Sequence, residues 1–287
     1  MNSESIAVVG AGTMGAGIAQ VGVEAGFRVN LIDVKEEFVS RGIQSIRGFL
    51  EKKVAKGKMT SEQCASALDR LTGHVDVKSG VRDVVMVVEA VFENIDLKHE
   101  MFKTLDECCP AEVILASNTS TLSISKIAQA AKQHPERVIG THYFSPVPLM
   151  RLVEVVRGEA TTDAIAEQTI ALVRKLGKTP IVIKDVPGFV VNRLLCLLYN
   201  EAASMVEQGI ATPADIDAAV KLGCNWPMGV TEIMDMAGVD VVLLALKAMY
   251  EMTGEERYKP TKLLSEMVEQ KKLGKKTGEG FYSYAAK

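Results

Sequence analysis

The chain has 287 residues, enough for one large or two ordinary domains with real cores. Its net charge of −3 and 24% charged residues carry neither a nucleic-acid footprint nor a polybasic membrane surface, so neither partner is expected. No stretch approaches the roughly 20 apolar residues of a membrane span, and the opening apolar run is too short and glycine-broken for a signal peptide.

The chain opens on an apolar run, Ser5 to Val9, that stops at Gly10-Ala11-Gly12-Thr13-Met14-Gly15 and passes into a helical pattern. This G-x-G-x-x-G order suits a dinucleotide cradle. Gly10 permits a sharp turn after the strand, Gly12 lets backbone approach a pyrophosphate, and Gly15 lets the helix pack on the sheet. The first helical turn, with Thr13 and Met14, leaves N–H groups for an anion. Met14, Ile18, Val21 and Ala25 recur at helical spacing, and Gly26 follows as a stop. Phe27 to Ile32 reads as a second strand ending at Asp33, the position of an acid that grips an adenosine ribose. A carboxylate there bonds a 2′-hydroxyl and repels a 2′-phosphate, which predicts NAD over NADP. The alternative is a glycine turn and a capping Asp without a ligand.

From Lys35 to Leu71 the pattern is helical, with Phe38, Ile43, Ile46, Phe49, Leu50 and Val54 as one apolar stripe. A second helix starts near Thr60, where Thr60-Ser61-Glu62-Gln63 resembles a capping box. Between them, residues 51–58 concentrate lysines, either a solvated helix end or a phosphate-binding patch. Val84 to Val88 is a β-branched run fit for a strand buried on both faces, followed by Glu89, Glu93 and Lys98 at the edge where ligands collect. After a helix over Leu97 to Cys108, the strand Val113 to Ala116 ends in the polar tip Ser117-Asn118-Thr119-Ser120-Thr121. That tip is either functional or the N-cap of a helix from Ser123 to Ala131.

Val138 to His142 reads as a strand, Tyr143 to Pro148 as a proline-forced turn, and Arg151 to Val156 as the next strand. Glu154 is surrounded by valines and a leucine, and a buried carboxylate needs a partner. His142, twelve residues back, can supply it, and such a pair suits a general base. A structural histidine is the alternative.

Asp163 to Leu176 is a helix and Ile181 to Ile183 a strand; strand signals vanish after Asp185-Val186-Pro187-Gly188. A long apolar helix then runs to about Gln208, with Asn192 in its first turn as a local hydrogen-bonding group or a substrate contact. Further helices start at Thr212-Pro213 and span Val239 to Met252 and Pro260 to Lys272. The expected fold is α/β: a Rossmann-type, doubly wound, mostly parallel sheet with a helix-pair insertion over residues 1–186, then an all-α domain over 187–287. Exposed-capable Met, Leu and Val in the latter predict a homo-oligomer, a homodimer through this domain. The five cysteines, Cys64, Cys108, Cys109, Cys196 and Cys224, lack C-x-x-C spacing and are expected to be reduced thiols in a cytoplasmic protein without a metal site.

Taken together, the glycine loop, Ser117-Asn118-Thr119-Ser120, His142 with its Pro-x-Pro turn, Leu152-Val153-Glu154-Val155, residues 187–193, Pro227-Met228-Gly229 and residues 274–282 resemble the 3-hydroxyacyl-CoA dehydrogenase family over essentially the whole chain. The resemblance implies an NAD-dependent dehydrogenase of short-chain 3-hydroxyacyl-CoA, with His142 as catalytic base, Glu154 orienting it, and Ser120 and Asn192 holding the substrate oxygen. It also implies NAD contacts at Asp33, Glu93, Lys98, Ser120 and Lys276, and CoA phosphate contacts at Lys52 and Lys56. The chain departs from the family at Ser145, where an Asn is usual, and at Val230-Thr231, where Pro-Phe or Pro-Leu is usual. A serine hydrolase of Ser120, His142 and Glu154 would lack a G-x-S-x-G elbow. A dehydrogenase of free hydroxy acids would have no use for the lysines, and a non-catalytic NAD sensor none for a buried His–Glu pair.

Overall fold

The structure, a computed structural model, describes residues 4–284; the outermost residues of both expected domains lie outside it. The chain forms two compact units, Met1–Phe189 and Val190–Lys287.

The first unit runs β1 (Ser5–Val9), α1 (Thr13–Glu24), β2 (Arg28–Ile32), α2 (Glu36–Ala55), α3 (Ser61–Leu68), β3 (Leu71–His74), α4 (Val77–Gly80), β4 (Met86–Glu89), α5 (Ile95–Cys108), β5 (Ile114–Ser117), α6 (Ile124–Ala128), β6 (Val138–Tyr143), β7 (Leu152–Arg157), α7 (Asp163–Lys175) and β8 (Thr179–Lys184). The strands form one sheet in the order β3-β2-β1-β4-β5-β6-β7-β8. Every neighbouring pair is parallel except β6 and β7, which are antiparallel. The chain winds outward from β1 to β3 and returns to β4 on the other side of β1, which makes the carboxyl ends of β1 and β4 a topological switch point.

Successive strand residues feed opposite faces. Ile6 and Val8 enter one core cluster while Ala7 and Val9 enter another, and Met86 and Val88 separate from Val87 in the same way. Both faces are therefore buried, the physical reason that these strands read as continuous apolar runs.

The insertion departs from the expected pattern at one residue. Helix α2 buries Val39, Gly42, Ile46 and Leu50, whereas Phe49 is 53% exposed. At about 100° per residue, Phe49 is turned well away from Leu50, so it leaves the stripe in which an apolar count had placed it. The capping box of α3 is present: Gln63 N donates to Thr60 Oγ1 at 3.2 Å, and Thr60 N donates to Gln63 Oε1 at 2.9 Å. Strand β3 and helix α4 have no counterpart in the sequence reading. Leu71-Thr72-Gly73-His74 is a half-exposed edge strand with one aliphatic residue, recruited because α2 rests on Gly73.

The second unit comprises α8 (Val191–Glu207), α9 (Pro213–Gly223), α10 (Val230–Ala237), α11 (Val239–Thr253) and α12 (Lys262–Glu269). Helix α10 was also unforeseen; Gly229 N donates to Glu232 Oε2 at 2.9 Å and starts it after the proline turn. Two buried acids pin the C-terminal segment. Asp235 accepts from Phe281 N and Tyr282 N, both at 2.9 Å, and Asp217 accepts from Tyr282 Oη at 2.7 Å. Thr231 donates to Asp217 at 2.6 Å and thereby joins this network. Among the described residues the five cysteines are free thiols and no helix is long and apolar enough to cross a membrane.

Candidate active site

The glycine loop lies at the switch point. Gly10 has φ +101°, and a Cβ there would stand 2.6 Å from Ala90 O; a Cβ on Gly15 would stand 1.7 Å from Gly10 O. The protein's own atoms thus demand glycine at both positions. Gly12 differs. It caps α1 without a side-chain bond, and a Cβ on it would meet nothing within 4 Å. The space in front of Gly12 and the N–H groups of Thr13 and Met14 fits a phosphate, which accounts for a glycine at position 12 where intramolecular packing does not.

Asp33 closes β2 beside this loop. Its Oδ2 accepts from Ala11 N and its Oδ1 from Val34 N, both at 2.7 Å. The carboxylate is held against the glycine loop in the place expected of a ribose ligand.

The next strand ends carry a layered acid cluster. Glu89, the last residue of β4, is fully buried and accepts from Lys98 Nζ at 2.7 Å, Ser117 Oγ at 2.6 Å and Val91 N at 2.7 Å. Lys98, almost as buried, also stands 3.4 Å from Glu93. Glu93 Oε1 in turn accepts from Thr119 Oγ1 at 2.5 Å, Ser120 N at 2.9 Å, and Thr121 N and Oγ1 at 3.0 Å, with Ser120 Oγ at 3.4 Å. Burial works to raise the pKa of Glu93, yet the Thr119 hydroxyl, the Lys98 charge and the N–H groups of the tip prevail and hold it below its ordinary value. The polar tip is therefore not the N-cap of the following helix: Ser123 caps α6, accepting from Lys126 N at 3.2 Å, while residues 119–121 fold around Glu93.

His142 and Glu154 face each other across the antiparallel β6–β7 pair, as direct register partners. His142 Nδ1 lies 2.7 Å from Glu154 Oε2, and both side chains are buried. A carboxylate can only accept, so Nδ1 carries its hydrogen and Nε2 presents a lone pair. The imidazole leans on Phe144, with centroids 4.4 Å apart, and on Phe189, at 5.6 Å. Phe189 reaches it from a left-handed backbone, φ +51°. Asn118 Oδ1 accepts from Tyr143 N at 2.9 Å and ties the polar tip to the strand end beside His142. The glycine loop, Asp33, the Glu93-bound tip and His142 thus share the carboxyl edge of one sheet.

Phe144 and Phe189 carry no separate site signal in the sequence, and Asn118 and Thr119 are legible there only as members of the polar tip. Their motif positions, adjoining Ser120, His142 and Gly188, were the available signal. Asn192 and Lys276 belong to the second unit. Asn192 is half-buried in the first turn of α8. Lys276 Nζ donates to both oxygens of Asp240, at 2.5 and 2.7 Å, a bond that holds the Asp240 carboxyl below its ordinary range. Lys52, on α2, and Lys56, which caps its C-terminus, are exposed.

Residues 5–186 match the model of the 3-hydroxyacyl-CoA dehydrogenase NAD binding domain, and residues 188–284 that of the C-terminal domain of the same family. A probable 3-hydroxybutyryl-CoA dehydrogenase of Bacillus subtilis is 43% identical over 287 residues, covering all of this chain and 99% of that protein. The mitochondrial hydroxyacyl-coenzyme A dehydrogenase of Rattus norvegicus is 42% identical, over 97% of this chain and 90% of its own. Among solved structures, an (S)-3-hydroxybutyryl-CoA dehydrogenase from Ralstonia eutropha superposes with a TM-score of 0.95 at 40% identity, covering 99% of this chain and all of that one.

The lowered pKa of Glu93 has a consequence for acid stability. Its contribution is complete above the ordinary value of 4.5 and is lost as the pH falls through the lower folded-state value. Glu93→Gln is expected to flatten the dependence of unfolding free energy on pH below 4.5, measured by urea titrations at stepped pH; an unchanged slope would remove this role.

Proposed function

The chain belongs to the 3-hydroxyacyl-CoA dehydrogenase family, and on that premise we propose that it interconverts a short-chain 3-hydroxyacyl-CoA, of the 3-hydroxybutyryl type, and the corresponding 3-oxoacyl-CoA. Its first unit is the family's NAD-binding domain. The observation that carries the reaction is the buried His142–Glu154 pair, placed on the same sheet edge as the glycine loop. The names of the Bacillus and Ralstonia relatives support a short acyl chain.

NAD, which the glycine loop and Asp33 would hold, would supply the hydride acceptor for oxidation at C3 and, reduced, the hydride donor for the reverse. His142 Nε2 removes the hydroxyl proton as the C3–O bond becomes a carbonyl, and in reverse delivers a proton to the ketone oxygen. Glu154 keeps Nδ1 protonated and offsets the charge of the imidazolium that forms. Phe144 and Phe189 exclude water from the ring. Ser120 hydrogen-bonds the substrate oxygen as its charge changes, and the family resemblance assigns the same kind of contact to Asn192. Glu93 holds the backbone of Ser120 in place for that task. Lys98 acts through Glu93 and Glu89 rather than by free access to the cofactor, since it is buried between them. Lys276 is assigned a cofactor contact, and Lys52 and Lys56 the CoA phosphates.

The second unit exposes Leu194 and Leu198 on α8 and Val241 and Leu244 on α11. We assign this surface to a homodimer, with a sedimentation mass of about twice the 31.0 kDa chain; a monomer at micromolar concentration would reject it. Free thiols fit a reducing compartment, and the cytoplasm is the assigned location.

His142→Gln is expected to lower turnover of acetoacetyl-CoA with NADH by about 10²–10⁴-fold, followed at 340 nm, with NADH affinity retained. Near-normal turnover would sink the base assignment. Asp33→Ala should cost roughly tenfold or more in kcat/KM for NADH, the scale of a hydrogen bond to a charged group, without a matching loss for NADPH. Equal losses with both cofactors would show that Asp33 does not read the ribose.

A further inference from the structure

The exposed Phe49 calls for an account that the fold does not supply. Ser45, Phe49 and Lys52 on α2 and Lys56, which caps its C-terminus, recur at i, i+4, i+7 and i+11, so they lie along one side of the helix, and all four are exposed. Lys52 Nζ stands 5.6 Å from the centroid of the Phe49 ring. Lys53 pairs with Glu24, whereas Lys52 and Lys56 pair with no carboxylate among the described residues. A scattered exposed apolar residue is ordinary. An aromatic ring beside two cations without counter-ions, on one helix face, is the arrangement that accepts a base by stacking and its phosphates by charge.

We propose that Phe49 is the stacking platform for the adenine of the CoA tail, with Lys52 and Lys56 receiving that tail's phosphates. The inference rests on the acyl-CoA reading above and adds to it a residue that recognises the nucleotide end of the substrate. It is separate from the adenosine site of the cofactor, which Asp33 marks at the end of β2. Gly42 packs against Ala11 of the glycine loop, and Phe49 lies seven residues further along α2, about 10 Å at the helical rise. A second adenine on the same unit therefore has its own platform.

Adenosine 3′,5′-bisphosphate titrated calorimetrically into the full chain tests this without turnover. Phe49→Ala should weaken binding about tenfold, and Phe49→Trp should retain it. Equal binding by the parent and Phe49→Ala would overturn the proposal, as would loss of binding under saturating NADH, which would place the probe in the cofactor's site. In steady-state assays Phe49→Ala should raise KM about tenfold for acetoacetyl-CoA and leave KM unchanged for acetoacetyl-pantetheine, which lacks the adenosine. An equal rise for both thioesters would overturn it. Unchanged NADH affinity in Phe49→Ala verifies that the unit is folded. If the parent chain binds the bisphosphate at Phe49 but turns over no 3-oxoacyl-CoA, the reaction assignment falls and the adenine platform stands; if it turns over acetoacetyl-CoA with a KM indifferent to Phe49, the platform falls alone.

Discussion

A carboxylate in an apolar sheet is the constraint on which the His142 end of this molecule depends. Glu154 has no exposure to water, and removing a charge from water without a partner costs several kcal/mol. His142 meets it at 2.7 Å because β6 and β7 are antiparallel and place the two residues opposite each other. Parallel strands need a crossover of a dozen or more residues, whereas an antiparallel pair can be joined by a short turn. The single reversal in an otherwise parallel sheet is what allows an acid and a base twelve residues apart to become direct neighbours. The proline turn between them is short enough to keep that register.

Around the pair, the other strand ends contribute groups that order one another. Glu89 neutralises Lys98 and binds Ser117, Lys98 reaches Glu93, and Glu93 gathers the polar tip around one oxygen. Two acids and one cation leave a net negative charge at the tip, and Glu93 remains ionised there because hydroxyl and N–H donors replace the water it has lost. Ser120 is thus carried by a loop whose shape is set by a carboxylate. On the far side of the switch point, Asp33 braces the glycine loop by the same device, accepting the Ala11 N–H.

Much of this was legible because each motif has a local physical cause. Gly10 and Gly15 are required by contacts of 2.6 and 1.7 Å that any side chain would make, so their spacing alone identifies the turn. The isolated charge of Glu154 among valines announced a buried pair. The strands β1, β4, β5 and β7 are evident since burial on both faces leaves continuous apolar runs. Strand β3 was illegible for the converse reason: it is an edge with little apolar content, and its pairing with β2 is decided by α2 lying across Gly73.

The sequence by itself determined the kind of fold, the dinucleotide loop and the pairing of His142 with Glu154, because these follow from residue type and short spacing. Only the tertiary structure decided which face of α2 meets solvent, and so moved Phe49 from the expected core to an exposed cationic face. It alone also showed that Glu93 holds the polar tip and that Lys98 is buried between two acids. Those outcomes depend on contacts between segments distant in sequence, such as Thr121 N to Glu93, 28 residues apart, which periodicity along the chain does not encode.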